Sequence, residues 1–270
     1  MLISLETMLL ATKNAHPRDE FITFEEGPHI YTVRGEQGYT SVTTWNHHHF
    51  KPFDSSKIID NILKSKKRDD PTYKYYGMTK EQIQEEWRIN GDNASKAGTK
   101  MHNDIEYFYN GLEVKNESIE FEYFQRFRAD FPDLKPYRTE WMIYWEEMKI
   151  SGSVDMVYEN PDGTLLIYDW KRVKEIVHEA GYGADTAITP CISHLPNTNF
   201  WHYSLQLNMY KRILEEKYGK KVVGLFLVVL HPENHNGSYL RFAVHNLSQE
   251  IDALMEVRKV ELAAASSSAH

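Results

Sequence analysis

Two aspartates, a glutamate, a lysine and a histidine stand in this chain at spacings that could build a hydrolytic metal site. In SGSVDMVYENPDGTLLIYDWK, residues 151–171, a Gly-x-x-Asp segment ends at Asp155, and an Asp-x-Lys, Asp169 to Lys171, follows the turn residues Asn160 to Gly163. Alternate side chains of a strand share a face, so Asp169 and Lys171 project together while Tyr168 and Trp170 point away. If the NPDG turn closes an antiparallel hairpin, Asp155 falls opposite Tyr168 or Asp169, according to the turn's length. Carboxylates that close repel unless a cation lies between them, and hard oxygen donors suit Mg²⁺ or Mn²⁺. Lys171 would neighbour both, able to position or deprotonate a water and to stabilise charge growing on a phosphate. Gly152 would let a backbone or a substrate come close. An isolated Asp-x-Lys reads as solvated strand charges. This one sits among Val154, Met156, Leu165 and Ile167, and Glu140 precedes it on another predicted strand, TEWMIYW.

The order Glu140, then Gly152-Ser-Val-Asp155, then Asp169-Trp-Lys171 resembles the core of the PD-(D/E)XK nucleases. The resemblance implies that Asp155, Asp169 and the carbonyl of Trp170 hold metal, that Lys171 assists the nucleophile, and that Glu140 is the additional acidic residue of many members. ASKAGTKMHNDIE is similar to the helix of RecB-like nucleases whose histidine joins the metal shell, here His102. Glu106 lies one turn further on the same helix face, although only the histidine matches the family role. YSLQLNMYKRIL resembles the Gln-x-x-x-Tyr element of that branch, Gln206 and Tyr210, an amide and a phenol able to touch substrate backbone or order a metal-bound water. The motifs run from about Trp87 to Tyr210 in the family's order. They imply an α/β, restriction-endonuclease-like core, a mixed central sheet flanked by helices, with a mostly helical N-terminal extension. They also imply a Mg²⁺- or Mn²⁺-dependent deoxyribonuclease, an exonuclease acting on single-stranded or free-ended DNA. The single cysteine, Cys191, cannot supply a four-cysteine iron–sulfur cluster, so the likeness is to the cluster-free phage, viral and mitochondrial genome-maintenance members.

The elements that must position these residues can be read from periodicity. Phe21 to Val42 reads as short strands, and a helix begins at Asp54–Ser55 with an acceptor side chain at its cap. A helix from Thr79 to Asn90 opens on a Thr79/Gln82 capping box, and a separate one spans Asn93 to Asn110, where Gly98 implies close backbone packing. Ser118 to Asp130 is helical and stops at Phe131–Pro132. Strands follow at Tyr137–Trp145, Met148–Glu159 and Thr164–Lys171. A long helix at Trp201–Lys217, a buried strand at Val222–Leu230, a strand at Tyr239–Val244 and a helix from Ser248 to about Ala263 complete an α/β pattern.

Domain organisation is expected as an N-terminal DNA-gripping region over 1–92, the nuclease core over 93–262 and a loose tail over 263–270. The gripping element is KSKKRDDPTYKYY, in which Lys66, Lys67 and Arg68 would follow phosphates while Tyr73, Tyr75 and Tyr76 stack bases. The alternative is a solvated loop. A net charge of −8 argues against a protein that coats nucleic acid through bulk electrostatics, but not against a nuclease whose site concentrates carboxylates. One cysteine, no signal-peptide pattern and no membrane-length apolar run are expected of an intracellular protein in a reducing compartment, cytoplasmic or in a phage- or virus-infected cell. Two rival readings stand beside the leading one. The first is a catalytically inactive nuclease-like module binding nucleic acid or protein. The second is another metallohydrolase using His102, Glu106 and the run His47, His48, His49; that run reads otherwise as a polar turn before Phe50.

Overall fold

The computed structural model of the protein describes residues 9–179, 181 and 184–268. They divide into two compact units, one made of the described residues within 1–51 and 102–270, the other of residues 52–101. This division differs from one drawn at residue 92, because the N-terminal segment folds as part of the larger unit. Leu10–Lys13 is a short helix (α1), Ile22–Glu25 and Ile30–Val33 are strands β1 and β2 paired antiparallel, and Thr40–Ser41 is strand β3. Helix α2, Val42–His48, is capped by the Ser41 hydroxyl, so the triple histidine lies in and at the end of a helix and not in a turn. The N-terminal segment is bonded into the larger unit by side chains: Asn110 Oδ1 accepts from the Leu10 N–H, and Asp19 accepts from Arg138 and from the indole of Trp141.

The smaller unit holds helix α3, Ser55–Lys64, with Asp54 accepting from the Lys57 N–H as its cap. It also holds most of α4, Lys80–Tyr109, which opens on the reciprocal Thr79–Gln82 bonds that the sequence predicts. The two helices expected at 79–90 and 93–110 are thus one. The Asn90-Gly91-Asp92-Asn93 stretch costs a continuous helix about 1 kcal/mol for its glycine, which thirty residues of hydrogen bonding absorb. The close packing inferred at Gly98 is absent: a side chain there would meet open space, and nothing in the structure explains this glycine.

In the larger unit α5, Ile119–Asp130, leads to strands β4 (Lys135–Trp145), β5 (Ile150–Glu159) and β6 (Leu165–Lys171). Helix α6 (Asn199–Tyr218), strands β7 (Val222–Val229) and β8 (Leu240–Ala243) and helix α7 (Ser248–Ser268) follow. Helix α7 continues through the alanine–serine run expected to be loose; residues 269 and 270 of that tail lie outside the described residues. The architecture is α/β, a mixed sheet flanked by helices, in the order β3-β5-β6-β7-β8 with β4 on the other edge of β5. Strands β4–β5, β5–β6 and β7–β8 are antiparallel, and β3–β5 and β6–β7 are parallel.

One detail of this register makes the site. Along one edge β5 is paired with β4 over its whole length. Its other edge is shared, with β3 at Ile150–Ser151 and with β6 only from Met156 to Glu159. Between these contacts β5 and β6 diverge, and a fork of strands leaves side chains with room to face one another. Helix α6 packs beneath, against β4, β6 and β7, and buries apolar residues on nearly all sides, from Phe200 to Tyr218. On the opposite face α5 sets Phe124 and Phe127 edge-on to Trp170, at 5.6 and 5.4 Å between ring centroids.

Candidate metal centre

The hairpin pairs Met156 with Tyr168, so Asp155 and Asp169 are the next residues towards the fork. Gly163, at φ +79°, supplies the turn conformation that glycine adopts at least cost, and Asn160 and Thr164 close the loop through their backbones. Alternation then acts as expected. Tyr168 and Trp170 enter the aromatic layer of α5, while Asp169 and Lys171 share the other face as an ion pair.

Three donors converge at the fork from three elements. His102 comes from α4, Glu140 from β4 and Asp155 from β5, and one ligand atom of each lies within 4.8 Å of the other two. His102 Nδ1 is 3.6 Å from Glu140 Oε1 and 3.6 Å from Asp155 Oδ2. Among the described residues this is the group of histidine, cysteine and carboxylate side chains able to surround an ion. Nitrogen plus two hard oxygens, partly exposed, fits a divalent cation that keeps some of its waters. Glu140 adopts φ +42°, a left-handed conformation uncommon for a residue with a side chain, costing on the order of 1–3 kcal/mol. Ser153 donates to its Oε2 at 2.9 Å and fixes the carboxylate in that strained position.

Asp169 is buried at 1 % exposure and stands outside this group of three. Its Oδ2 is ion-paired with Lys171, and its Oδ1 accepts from Gln206 Nε2 at 3.2 Å. The same Gln206 amide donates to the Tyr210 hydroxyl at 3.2 Å, so the pair singled out on α6 acts as one unit beneath the acidic residues. The Trp170 backbone N–H donates to Asp155 Oδ2 at 3.0 Å, tying the two strands across the fork. Gly152 is explained by Tyr210: an added Cβ would lie 2.7 Å from Tyr210 Cε1, so the close approach is that of a ring from α6.

The electrostatics follow from burial and crowding. Burial, then the Glu140 charge, raises the Asp155 carboxyl above its ordinary range, against the pull of His102 and Lys171. Burial and the nearby Asp155 raise Asp169 to about 6. Burial alone would lower His102, but the charges of Asp155 and Glu140 outweigh it and raise the imidazole to about 9. Lys171 is raised too, because Asp169 and Asp155 outweigh its burial. Clustered negative charge is thus partly offset by one lysine and one imidazolium proton. A metal ion takes the place of such a proton when it binds a histidine, which couples affinity to pH.

Sequence reasoning missed three neighbours. Tyr203 places its ring 4.6 Å from Lys171 Nζ, a cation–π contact from the helix face that carries Gln206 and Tyr210; its i, i+3, i+7 spacing with them was the available signal. Tyr31 is buried at 5 % exposure on β2, and burial, then the charges of Glu140 and Asp155, raise its hydroxyl well above the usual range. Nothing local in its sequence marks it. Ser153 was legible only as the residue between the glycine and the aspartate.

The other candidates fall elsewhere. Glu106 is not in the donor group, although burial and then the Glu140 charge raise its carboxyl. His49 is buried and bonded to Thr189 Oγ1 at 2.9 Å, and His47 lies edge-on to His202, so the triple histidine does not converge with His102 on an ion. In the smaller unit Arg68 donates to the Met78 carbonyl at 2.9 Å and the Tyr75 hydroxyl accepts from Trp87 Nε1 at 2.9 Å, so both serve the unit's own packing. Lys66, Lys67 and Tyr76 are exposed and Tyr73 is half-buried. No family model matches the chain, and no curated protein matches it. Among the described residues no helix is long and apolar enough to cross a membrane.

Proposed function

We propose that the protein is a divalent-metal-dependent nuclease of the PD-(D/E)XK type, RecB-like branch, hydrolysing phosphodiester bonds in DNA as an exonuclease on single-stranded or free-ended strands. The observation that carries this reading is the convergence of His102, Glu140 and Asp155 at a strand fork, with Lys171 and Asp169 on the adjoining strand. Three of the five motif side chains, His102, Glu140 and Asp155, come to one point, and Asp169 and Lys171 pair with one another on the adjoining strand, which supports the reading.

His102, Glu140 and Asp155 would hold the ion, and the resemblance adds Asp169 and the Trp170 carbonyl to that shell. Bound Mg²⁺ or Mn²⁺ supplies Lewis acidity and lowers the pKa of the attacking water. Asp169 holds the Lys171 ammonium beside the site, where its positive charge can orient a phosphate and stabilise the charge that develops on it. Gln206 and Tyr210 fix Asp169 from below, and Ser153 fixes Glu140. The exposed Lys66, Lys67 and Tyr76, with Tyr73, remain the proposed strand-gripping residues.

The test is digestion of end-labelled single- and double-stranded DNA with Mg²⁺ or Mn²⁺, each end blocked in turn. Release of nucleotides from free ends, abolished by chelation and by Asp155→Asn with binding retained, supports the reading. Undiminished cutting by purified Asp155→Asn, or no cutting under any metal, removes it.

A further inference from the structure

A cavity of about 350 Å³ in the larger unit adjoins the donor group at Glu140, its wall also including Glu106, Tyr107, Thr139, Met142 and Leu112. It lies within the size range of pockets that take small organic groups. Glu140 belongs to both places: its carboxylate faces His102 and Asp155, while the residue also forms cavity wall. A phosphodiester held at the donor group therefore has this cavity beside it, within reach of an adjoining nucleoside.

The lining selects among parts of a nucleotide. Glu106 and Glu140 line the cavity and its one cation, Arg138, is ion-paired with Asp19, so the lining carries net negative charge and repels a phosphate. Tyr107, Met142 and Leu112 offer apolar surface to a flat ring. Glu106 is half-buried, and among the described residues its carboxylate makes no hydrogen bond or ion pair, so an acceptor is left for a ligand. The Thr139 hydroxyl accepts from Asn110 Nδ2 at 2.9 Å and keeps its own proton to donate. An acceptor carboxylate with a donor hydroxyl matches a base edge that carries an exocyclic amine beside a ring nitrogen, as cytosine does; thymine presents a carbonyl where the amine would be.

We propose that this cavity binds the nucleobase next to the bond that is cut, and that Glu106 reads an exocyclic amino group on it. The proposal rests on the nuclease reading for its substrate, and its test separates the two. Wild type is assayed with Mn²⁺ on single-stranded oligo-dC and oligo-dT of equal length, alongside Glu106→Gln and the cavity-filling Met142→Trp. Affinity of the Asp155→Asn protein for the same oligonucleotides is read by fluorescence anisotropy.

Expected is a preference of roughly tenfold for dC in wild-type rate and in Asp155→Asn affinity, from one carboxylate–amine contact. Glu106→Gln, whose amide can also donate to a carbonyl, brings the two substrates to within about twofold, chiefly by improving dT. Met142→Trp removes the preference by blocking the cavity. Cleavage with equal dC and dT rates, unchanged in both variants, overturns the cavity proposal and leaves the nuclease standing. Absence of all cleavage with the dC preference retained in binding, and lost in Glu106→Gln, does the reverse.

Discussion

Gly152→Ala examines the contact that sets the floor of the site. The added Cβ would stand 2.7 Å from Tyr210 Cε1 and 3.3 Å from the Tyr210 hydroxyl, closer than buried carbon atoms pack. Neither side yields easily. Gly152 is in β5, paired with Ile143 of β4, and Tyr210 is buried on α6 with its hydroxyl held by Gln206. Over-packing of this kind costs about 1–3 kcal/mol. The strain reaches the chemistry, because a displaced Tyr210 pulls on Gln206 and so on Asp169. The assay is urea unfolding in chelator, with the midpoint read against an unchanged slope. Tyr210→Leu removes the ring edge, so Gly152→Ala added to that variant should cost less than about 0.5 kcal/mol, and the cycle isolates the clash. Two results would refute the reasoning: Gly152→Ala neutral beside the native tyrosine, or equally costly with and without the ring.

Other consequences follow from the same geometry. Lys171→Met should abolish cleavage and also destabilise the protein by about 3–5 kcal/mol, because it leaves the buried Asp169 carboxylate unpaired; the double variant with Asp169→Asn should regain most stability and no activity, as unfolding and cleavage measured side by side will tell. Tyr203→Phe should keep most activity because the ring over Lys171 remains, whereas Tyr203→Ala should lower kcat severalfold with little change in KM. Stability of the metal-free protein should fall with rising pH in two steps. Asp169, raised from 3.8 to about 6, contributes fully below 3.8 and loses that contribution through 6; His102, raised from 6.5 to about 9, contributes fully below 6.5 and loses it through 9. Thermal melts in chelator trace both steps, and saturating Mn²⁺ should flatten the upper one, since metal and proton compete for the same imidazole.

How far this was legible in the sequence depends on which interactions are local. The hairpin from Gly152 to Lys171 was, because strand alternation and the NPDG turn fix which side chains share a face within twenty residues. The cap at Asp54–Ser55 and the Thr79–Gln82 box were legible for the same reason. The continuity of α4 was not: the glycine and asparagines at 90–93 weigh against helix locally, and the helix's length decides otherwise. The purpose of Gly152 was read as room for backbone or substrate, since no pattern in sequence shows that a tyrosine 58 residues later fills it. Likewise Asp169 reads as an equal partner of Asp155, yet its burial commits it to Lys171 and Gln206 while Asp155 faces His102 and Glu140. Tyr31 enters the site's electrostatic field through β2, and only tertiary structure brings it there.

The claim on which the rest depends is that a divalent ion binds where α4, β4 and β5 meet. Anomalous scattering from crystals soaked in Mn²⁺ measures this most directly. The account predicts a manganese peak bounded by the His102 imidazole and the Glu140 and Asp155 carboxylates, lost in the Asp155→Asn protein. Manganese bound elsewhere with these three side chains left in mutual contact would contradict it.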